Sequence, residues 1–118
     1  DFVILSAELK LSYNLSTSDI LGEIEKYKNL RRASQPIDKP SLGSVFKRPP
    51  CDFAARLIDE SGLKGFSIGG AEVSKKHAGF IVNNGNATSN DFRALSNYVK
   101  QTVFARHGVQ LEEEIEFL

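Results

Sequence analysis

The sequence lacks several features that would assign it to common protein classes. It has no methionine, a single cysteine, and equal numbers of basic and acidic residues among its 118. One cysteine, Cys51, cannot form an internal disulfide, which favours a reducing, cytoplasmic setting. A formal charge of zero gives no overall field that would draw the chain to nucleic acid or anionic lipid. Any anion site must therefore be local.

The sequence also lacks membrane and secretion features. No apolar run approaches the roughly 20 residues of a membrane span, and no basic stretch leads into an apolar one at the N-terminus, as a signal peptide requires. Because the chain begins at Asp1-Phe2 without methionine, we expect it to be the C-terminal portion of a longer protein. Its length and 41% apolar composition suffice for one compact core.

Periodicity predicts an α+β fold, in which short mixed or antiparallel strands pack with two or three helices. The predicted helices cover residues 16–32, a short segment from an Asp52 cap to Gly62, and a segment from Thr88 or Ser89 to Gly108. Phe53, Ala54, Leu57 and Ile58 are expected to face inward on the second. The predicted strands cover residues 2–13, 66–68, 71–73, 79–82 and 109–118, and residues 34–44 are predicted to form a loop.

Residues 43–50 read Gly-Ser-Val-Phe-Lys-Arg-Pro-Pro and form the first candidate site. Gly43 would let backbone approach a ligand, Ser44 can donate a proton, and the cations Lys47 and Arg48 can meet phosphates. The alternative is an ordinary Gly-Ser turn beside solvated cations. Phe46 stands where the nucleophile elbow of hydrolases needs glycine, so that motif is excluded.

The second candidate is the basic segment Lys75-Lys76-His77 between two predicted strands, which would suit a diphosphate. Surface exposure explains these side chains equally well. No metal site is predicted, because the other histidine, His107, lies at a helix end, where it favours the helix dipole.

The last predicted strand is the third candidate, because alternation puts Glu112, Glu114 and Glu116 on one face. If that face borders a desolvated pocket, burial and repulsion raise the pKa of one carboxyl enough for it to act as a general acid. If it faces water, the run is a charged edge that discourages aggregation.

Taken in order, these segments resemble a known family. Residues 43–49, residues 55–83 and residues 111–115 are similar to the C-terminal domain of the MurB family, the UDP-N-acetylenolpyruvoylglucosamine reductases, in its shorter subtype. Residues 3–11 resemble the last strand of that family's flavin-binding domain. The resemblance implies that residues 1–13 are the last strand of an otherwise absent FAD-binding domain, and that residues 14–118 form the C-terminal substrate-binding domain.

The resemblance implies a cytoplasmic oxidoreductase of peptidoglycan synthesis, and hence of cell wall biogenesis, cell shape, cell division and the cell cycle. NADPH reduces FAD, and the reduced flavin reduces UDP-N-acetylglucosamine enolpyruvate to UDP-N-acetylmuramate. The N-terminal FAD-binding domains of the same parent chain would hold the cofactor, so we expect no cofactor-binding residue in this fragment and no activity from it alone. No nucleic-acid or membrane partner is expected.

The resemblance also assigns roles to individual residues. It implies that Ser44 is the proton donor and that Glu114 is the catalytic acid that stabilises the enol. It implies that His77 contacts the UDP part of the substrate and that Arg48 contacts the substrate. Gly43, Lys47 and Lys75 are further substrate-binding candidates, the two lysines from charge alone. The alternative interpretation is a stand-alone nucleotide-sugar or diphosphate binding module without catalysis.

Overall fold

The computed structural model describes residues 3–12, 15–50 and 52–117. The chain divides into two compact units, Asp1–Leu30 and Arg31–Leu118. Within the described residues the elements are α1 (Thr17–Ser34), β1 (Ser41–Ser44), α2 (Ala54–Glu60), β2 (Ser67–Ile68), β3 (Ala71–Val73), β4 (Phe80–Asn83) and α3 (Ser89–His107). The predicted α+β class is confirmed.

The strands form one antiparallel sheet in the order β1-β4-β3-β2. Glu72 of β3 lies opposite Ser67 of β2 on one side and opposite Val82 of β4 on the other. The strands predicted at residues 66–68, 71–73 and 79–82 are therefore confirmed, with shifts of a residue at their ends. β1 lies within residues 34–44, which were predicted to form a loop. That prediction is wrong for residues 41–44. A long-range partner, β4, makes a strand of this Gly- and Ser-containing segment.

The hydrophobic core of the second unit lies where α3 packs against α2, β2 and β3. Its members come from α2, β3, β4, α3, the loops between elements and the segment after α3, and include Val45, Phe46, Leu57, Ile58, Val73, Ile81, Leu95, Val99, Val103 and Leu111. Each such side chain contributes roughly 1.5–3 kcal/mol by leaving water. The core thus fixes the segments on which the candidate site lies.

α2 begins differently from the prediction. Asp52 does not cap it, because the N-cap residue is Phe53, which makes no side-chain cap. Asp52 instead pairs with Arg56, and hydrogen bonds from Arg56 and the Phe53 amide lower the pKa of Asp52 to about 2. Ala54, Leu57 and Ile58 are buried as predicted, whereas Phe53 is 56% exposed and lies under the guanidinium of Arg48.

α3 confirms the helix predicted from its caps. The Thr88 hydroxyl accepts from the Asp91 amide, and the Asp91 carboxylate accepts from the Thr88 amide, which is a capping box. These Thr88 hydrogen bonds hold the pKa of Asp91 below its ordinary value. At the other end Gly108 adopts a left-handed φ of 67° and donates to the carbonyl of Phe104.

The first unit contains a correct and an incorrect prediction. The helix predicted at residues 16–32 is confirmed as α1, yet no described residue of α1 is buried. Residues 3–12 form neither helix nor strand, so the strand predicted at residues 2–13 is wrong over this range, and residues 2 and 13 lie outside the described residues. A strand requires a hydrogen-bonded neighbour. Leu5 is 91% exposed and Leu9 is 79% exposed.

The strand predicted at residues 109–118 is also wrong as a regular element. Its described part contains a single isolated bridge, between Glu113 and Phe46. The alternation predicted for it is nevertheless confirmed, because Leu111 is buried and Glu113, Ile115 and Phe117 are half-buried, whereas Glu112, Glu114 and Glu116 are exposed.

We expect Thr88→Ala to lower the free energy of unfolding of this chain by about 1 kcal/mol, because it removes the hydroxyl of the capping box. Urea unfolding followed by circular dichroism measures the change. Ser89→Ala, on the exposed neighbouring residue, is the control and should change stability by less than about 0.5 kcal/mol. Equal effects of the two substitutions would contradict a capping role for Thr88.

Candidate active site

A bulge in β1 sets the direction of Ser44. Ser41 pairs with Val82 and Ser44 pairs with Phe80, so β1 uses one residue more than β4 between the two pairs. Gly43 lies in this stretch with a φ of 84°, a conformation that other residues rarely adopt. Leu42 and Ser44, on either side of Gly43, line the same pocket.

The C-terminal segment brings Glu114 to this pocket. The Glu114 amide donates to the Val45 carbonyl at 2.8 Å, and the Lys47 amide donates to the Glu112 carbonyl at 2.9 Å. These two antiparallel bonds place the segment beside the residues that follow Ser44. The resulting pocket, which we call the Ser44 pocket, measures about 480 Å³ and is lined by Leu42, Ser44, Glu114, Ile115 and Glu116.

The two predicted catalytic side chains are both exposed within this open pocket. The Ser44 hydroxyl donates to the Phe46 carbonyl at 3.4 Å, which is long for a hydrogen bond between oxygens. A bond of that length is easily exchanged for one to a ligand. Ser44 and Glu114 thus line the same pocket, and their catalytic roles stay a prediction.

The predicted cations Lys47 and Arg48 line a different pocket, of about 200 Å³, together with Pro49, Pro50, Gln110 and Glu112. The Lys47 ammonium lies 3.4 Å from the Glu112 carboxylate, with both side chains largely exposed. The Arg48 guanidinium lies 4.0 Å from the centre of the Phe53 ring. Neither cation lines the Ser44 pocket.

His77 lies in a turn that the hydroxyl of Ser74 organises by accepting from the amides of Lys76 and His77. The Nδ1 atom of His77 accepts from the Gly79 amide at 3.2 Å, and its ring packs edge-on against Phe80. In a neutral ring this leaves the proton on Nε2, which can donate to a ligand. Gly79 in turn accepts from the Val45 amide, which links this turn to the segment after Ser44.

Lys75 lines a third pocket, of about 520 Å³, which we call the lysine pocket. Its charged lining residues are Arg32, Asp38, Lys39, Glu72, Lys75 and Lys76. The Lys39 ammonium donates to the Asn84 amide oxygen and the Lys76 ammonium donates to the Arg32 carbonyl, so both contact neutral acceptors. The sequence predicted the Lys75-Lys76 pair, but not Arg32 and Lys39, which come from a distant part of the chain.

One cluster near the site was missed by sequence reasoning. The hydroxyl of Ser96, which is fully buried, donates to Glu113 at 2.8 Å, and the Lys100 ammonium lies 2.7 Å from the same carboxylate oxygen. Burial raises the pKa of Glu113, but hydrogen bonds from Lys100 and Ser96 outweigh it and hold the pKa below its ordinary value. The run of three glutamates at residues 112–114 did not indicate which carboxylate forms the ion pair with Lys100.

Two absences complete the geometry of the described residues. No group of three or more His, Cys, Asp or Glu side chains among them converges to hold a metal ion. Within the same residues, no helix has both the length and the apolar character to cross a membrane.

Residues 35–118 match the family model described as UDP-N-acetylenolpyruvoylglucosamine reductase, C-terminal domain. The reductase of that name from Clostridium tetani is 46% identical over 114 residues, which are 97% of this chain and 37% of the relative. Its namesake from Listeria monocytogenes is 46% identical over 118 residues, 100% of this chain and 39% of the relative.

A solved structure of a reductase of this name also matches the chain. The crystal structure of UDP-N-acetylenolpyruvylglucosamine reductase from Thermus caldophilus matches with a TM-score of 0.70 and 38% identity, covering 84% of this chain and 34% of that chain. The chain therefore spans well under half the length of the relatives that it matches.

We expect Glu113→Gln to destabilise this chain at neutral pH and to have a smaller effect as the pH falls. The folded-state pKa of Glu113 lies below the unfolded value of about 4.3, so its stabilisation is present above that pH and is lost as the pH falls through the folded value. Urea unfolding of both proteins from about pH 7 down to about pH 3, a range in which side-chain carboxyl groups titrate, measures the difference in stability.

Glu112→Gln is the control for this pH series. The Glu112 carboxylate is 74% exposed, so its pair with Lys47 should contribute little at any pH. A difference between wild type and Glu113→Gln that stays constant to the acid end would contradict an ionised, paired Glu113.

Proposed function

This chain belongs to the UDP-N-acetylenolpyruvoylglucosamine reductase family, whose C-terminal domain it matches, and we propose that it is the substrate-binding part of a flavoenzyme. The proposed reaction reduces UDP-N-acetylglucosamine enolpyruvate to UDP-N-acetylmuramate with NADPH, in the cytoplasmic synthesis of peptidoglycan precursors. The observation that carries the proposal is that Ser44 and Glu114 line one pocket.

Reduction of the enolpyruvyl double bond adds a hydride to one carbon and a proton to the other. FAD, bound mainly by the rest of the longer protein and reduced by NADPH, supplies the hydride. Ser44 donates the proton from its hydroxyl to the carbon at which negative charge develops. Glu114, as a neutral acid, hydrogen-bonds the enol oxygens and stabilises that charge. Because the Ser44 pocket is open, the hydride donor would reach the substrate from outside this chain.

Ser44 and Glu114 both need nearby positive charge or exclusion of water to act in this reaction, and this chain supplies that environment only in part. A serine hydroxyl is a weak acid in water, and the nearest cations in sequence, Lys47 and Arg48, line another pocket. Glu114 is exposed, whereas stabilisation of a developing charge requires a site from which water is excluded. We infer that substrate and the upstream domains cover the pocket and complete this environment, so the fragment alone is inactive.

Substrate binding is assigned to the surrounding loops. Nε2 of His77 donates to the UDP part of the substrate, and Arg48 provides a planar donor that suits a phosphate or carboxylate. Gly43 allows close approach of backbone, and Lys47 and Lys75 add positive charge. The neutral overall composition supports such a local origin of anion binding.

The apolar surface of the first unit supports upstream FAD-binding domains in the same chain. Leu5 and Leu9 are almost fully exposed, and on α1 Leu21, Tyr27 and Leu30 are each more than half exposed. We propose that residues 1–13 complete a sheet of those domains and that the C-terminal domain begins at residue 14. A stand-alone binding module would bury these side chains itself, so that alternative is not supported.

In the full-length protein that contains this chain, we expect Ser44→Ala and Glu114→Gln each to slow oxidation of the reduced flavin by the enolpyruvyl substrate by about 10²–10⁴-fold, as loss of a general acid does. Reduction of the flavin by NADPH should be unchanged. Stopped-flow absorbance of the flavin measures the two half-reactions separately.

Ser67→Ala and Glu60→Gln are the controls for these two substitutions. Ser67 is an exposed serine of β2 and Glu60 is paired with Arg56 on α2, and neither lines the Ser44 pocket. Normal oxidation of the reduced flavin in Ser44→Ala would refute the role of Ser44 as proton donor.

We expect Leu21→Ser to lower the unfolding free energy of the full-length protein by roughly 1.5–3 kcal/mol, because upstream domains bury this side chain there. In the present chain, where Leu21 is 59% exposed, the same substitution should change stability by less than about 0.5 kcal/mol. Lys28→Ser, on an exposed lysine of α1, should have little effect in either context. Equal effects of Leu21→Ser on the full-length protein and on the present chain would show that no other domain covers this side of α1.

A further inference from the structure

We propose that Glu113 is a positioning residue, which Ser96 and Lys100 hold so that the adjacent Glu114 faces Ser44. The proposal rests on the proposed function, because it concerns how the catalytic acid is presented. Ser96 and Lys100 are one helical turn apart on α3, and both contact the Glu113 carboxylate.

The geometry of this contact distinguishes it from the exposed ion pairs of the chain. Ser96 is fully buried, and the Lys100 and Glu113 side chains are only 28% and 23% exposed. The Lys100 ammonium lies 2.7 and 2.8 Å from the two carboxylate oxygens, and the Ser96 hydroxyl lies 2.8 Å from one of them. A charge-assisted contact with two donors defines the position of the carboxylate far better than an exposed pair does.

The sequence of the C-terminal segment creates the need for such a contact. Residues 112–114 are all glutamate, so a slip of one residue would put a chemically identical carboxylate into the Ser44 pocket. Because neighbouring side chains of an extended segment point to opposite faces, Glu114 faces the pocket only while Glu113 faces α3. Ser96 and Lys100 are polar partners that select the middle glutamate.

The backbone alone holds this segment weakly. One isolated bridge at Glu113 joins it to residues 45–47, with a single hydrogen bond on each side. Leu111 anchors the segment by burial, and Ile115 packs partly against the core beyond Glu114. The contact of Glu113 with α3 is a polar anchor directly before Glu114, as the packing of Ile115 is an apolar one directly after it, and it therefore limits how far the catalytic carboxyl can move.

The full-length protein that contains this chain provides the test, with Glu113→Gln and Lys100→Met as the disrupting variants. We expect each to slow oxidation of the reduced flavin by the enolpyruvyl substrate by about tenfold to a hundredfold, because displacements of about 1 Å have effects of that size. Flavin reduction by NADPH and the dissociation constant of the substrate should change by less than about twofold, since binding residues are not moved.

Rescue distinguishes positioning from a general loss of structure. Lys100→Arg keeps the charge and the donors and should retain most of the rate. The reversed pair, Glu113→Lys with Lys100→Glu, should recover part of the rate that Glu113→Lys alone loses. Glu60→Gln, which removes a carboxylate paired with Arg56 on α2, is the matched control and should leave both half-reactions unchanged.

Hydrogen exchange in this chain gives a readout that is independent of catalysis. The Glu114 amide donates to Val45, and in Glu113→Gln it should exchange faster while amides in the middle of α3 do not. The positioning role is overturned if Glu113→Gln leaves hydrogen exchange at the Glu114 amide unchanged. It is also overturned if that exchange becomes faster while oxidation of the reduced flavin by the enolpyruvyl substrate keeps its rate. If Glu114→Gln leaves oxidation of the reduced flavin by the enolpyruvyl substrate intact, the result contradicts the proposed function. It does not contradict the anchoring of the segment by Glu113.

Discussion

The site depends on the antiparallel contact between residues 45–47 and residues 112–114. Two backbone hydrogen bonds, from Glu114 to Val45 and from Lys47 to Glu112, join parts of the chain that are more than sixty residues apart. Val45, Phe46 and Leu111 anchor both partners in the core. Because the core fixes this contact, Ser44 and Glu114 line the same pocket although they lie far apart in the sequence.

The two units differ in how completely they bury their own apolar residues. The second unit has a continuous core, whereas the described part of the first exposes its leucines and valines along residues 3–12 and along α1. Exposed apolar surface on this scale is typical of a surface that another domain covers. The described residues therefore contain one complete core, in the second unit, and one apolar surface, in the first unit, that they do not cover themselves.

Local signals in the sequence predicted the elements that depend on local interactions. Thr88, Asp91 and Gly108 define α3 through caps that involve only their neighbours, and the α3 prediction was correct. β1 was missed because it exists only through pairing with β4. Asp52 was misassigned because Arg56 competes for its carboxylate, and Phe53 was misassigned because it is the N-cap residue of α2 and its ring contacts Arg48 on the surface instead of the core.

The same limit applies to the site. Alternation correctly put Glu114 on an exposed face, and the family resemblance paired it with Ser44, but periodicity gave no reason why Lys47 and Arg48 should line another pocket. The cluster of Ser96, Lys100 and Glu113 joins residues that are 13 and 17 positions apart, which no short motif records.

The bulge at Gly43 links folding to catalysis in one further way. The extra residue lies just before Ser44, which lines the Ser44 pocket, and Val45, which is fully buried. Deleting it would reverse the inside and outside of the strand, turning Ser44 inward and Val45 towards water. A change that displaces Ser44 from its pocket would thus also expose Val45, so the position of this serine is coupled to the stability of the core.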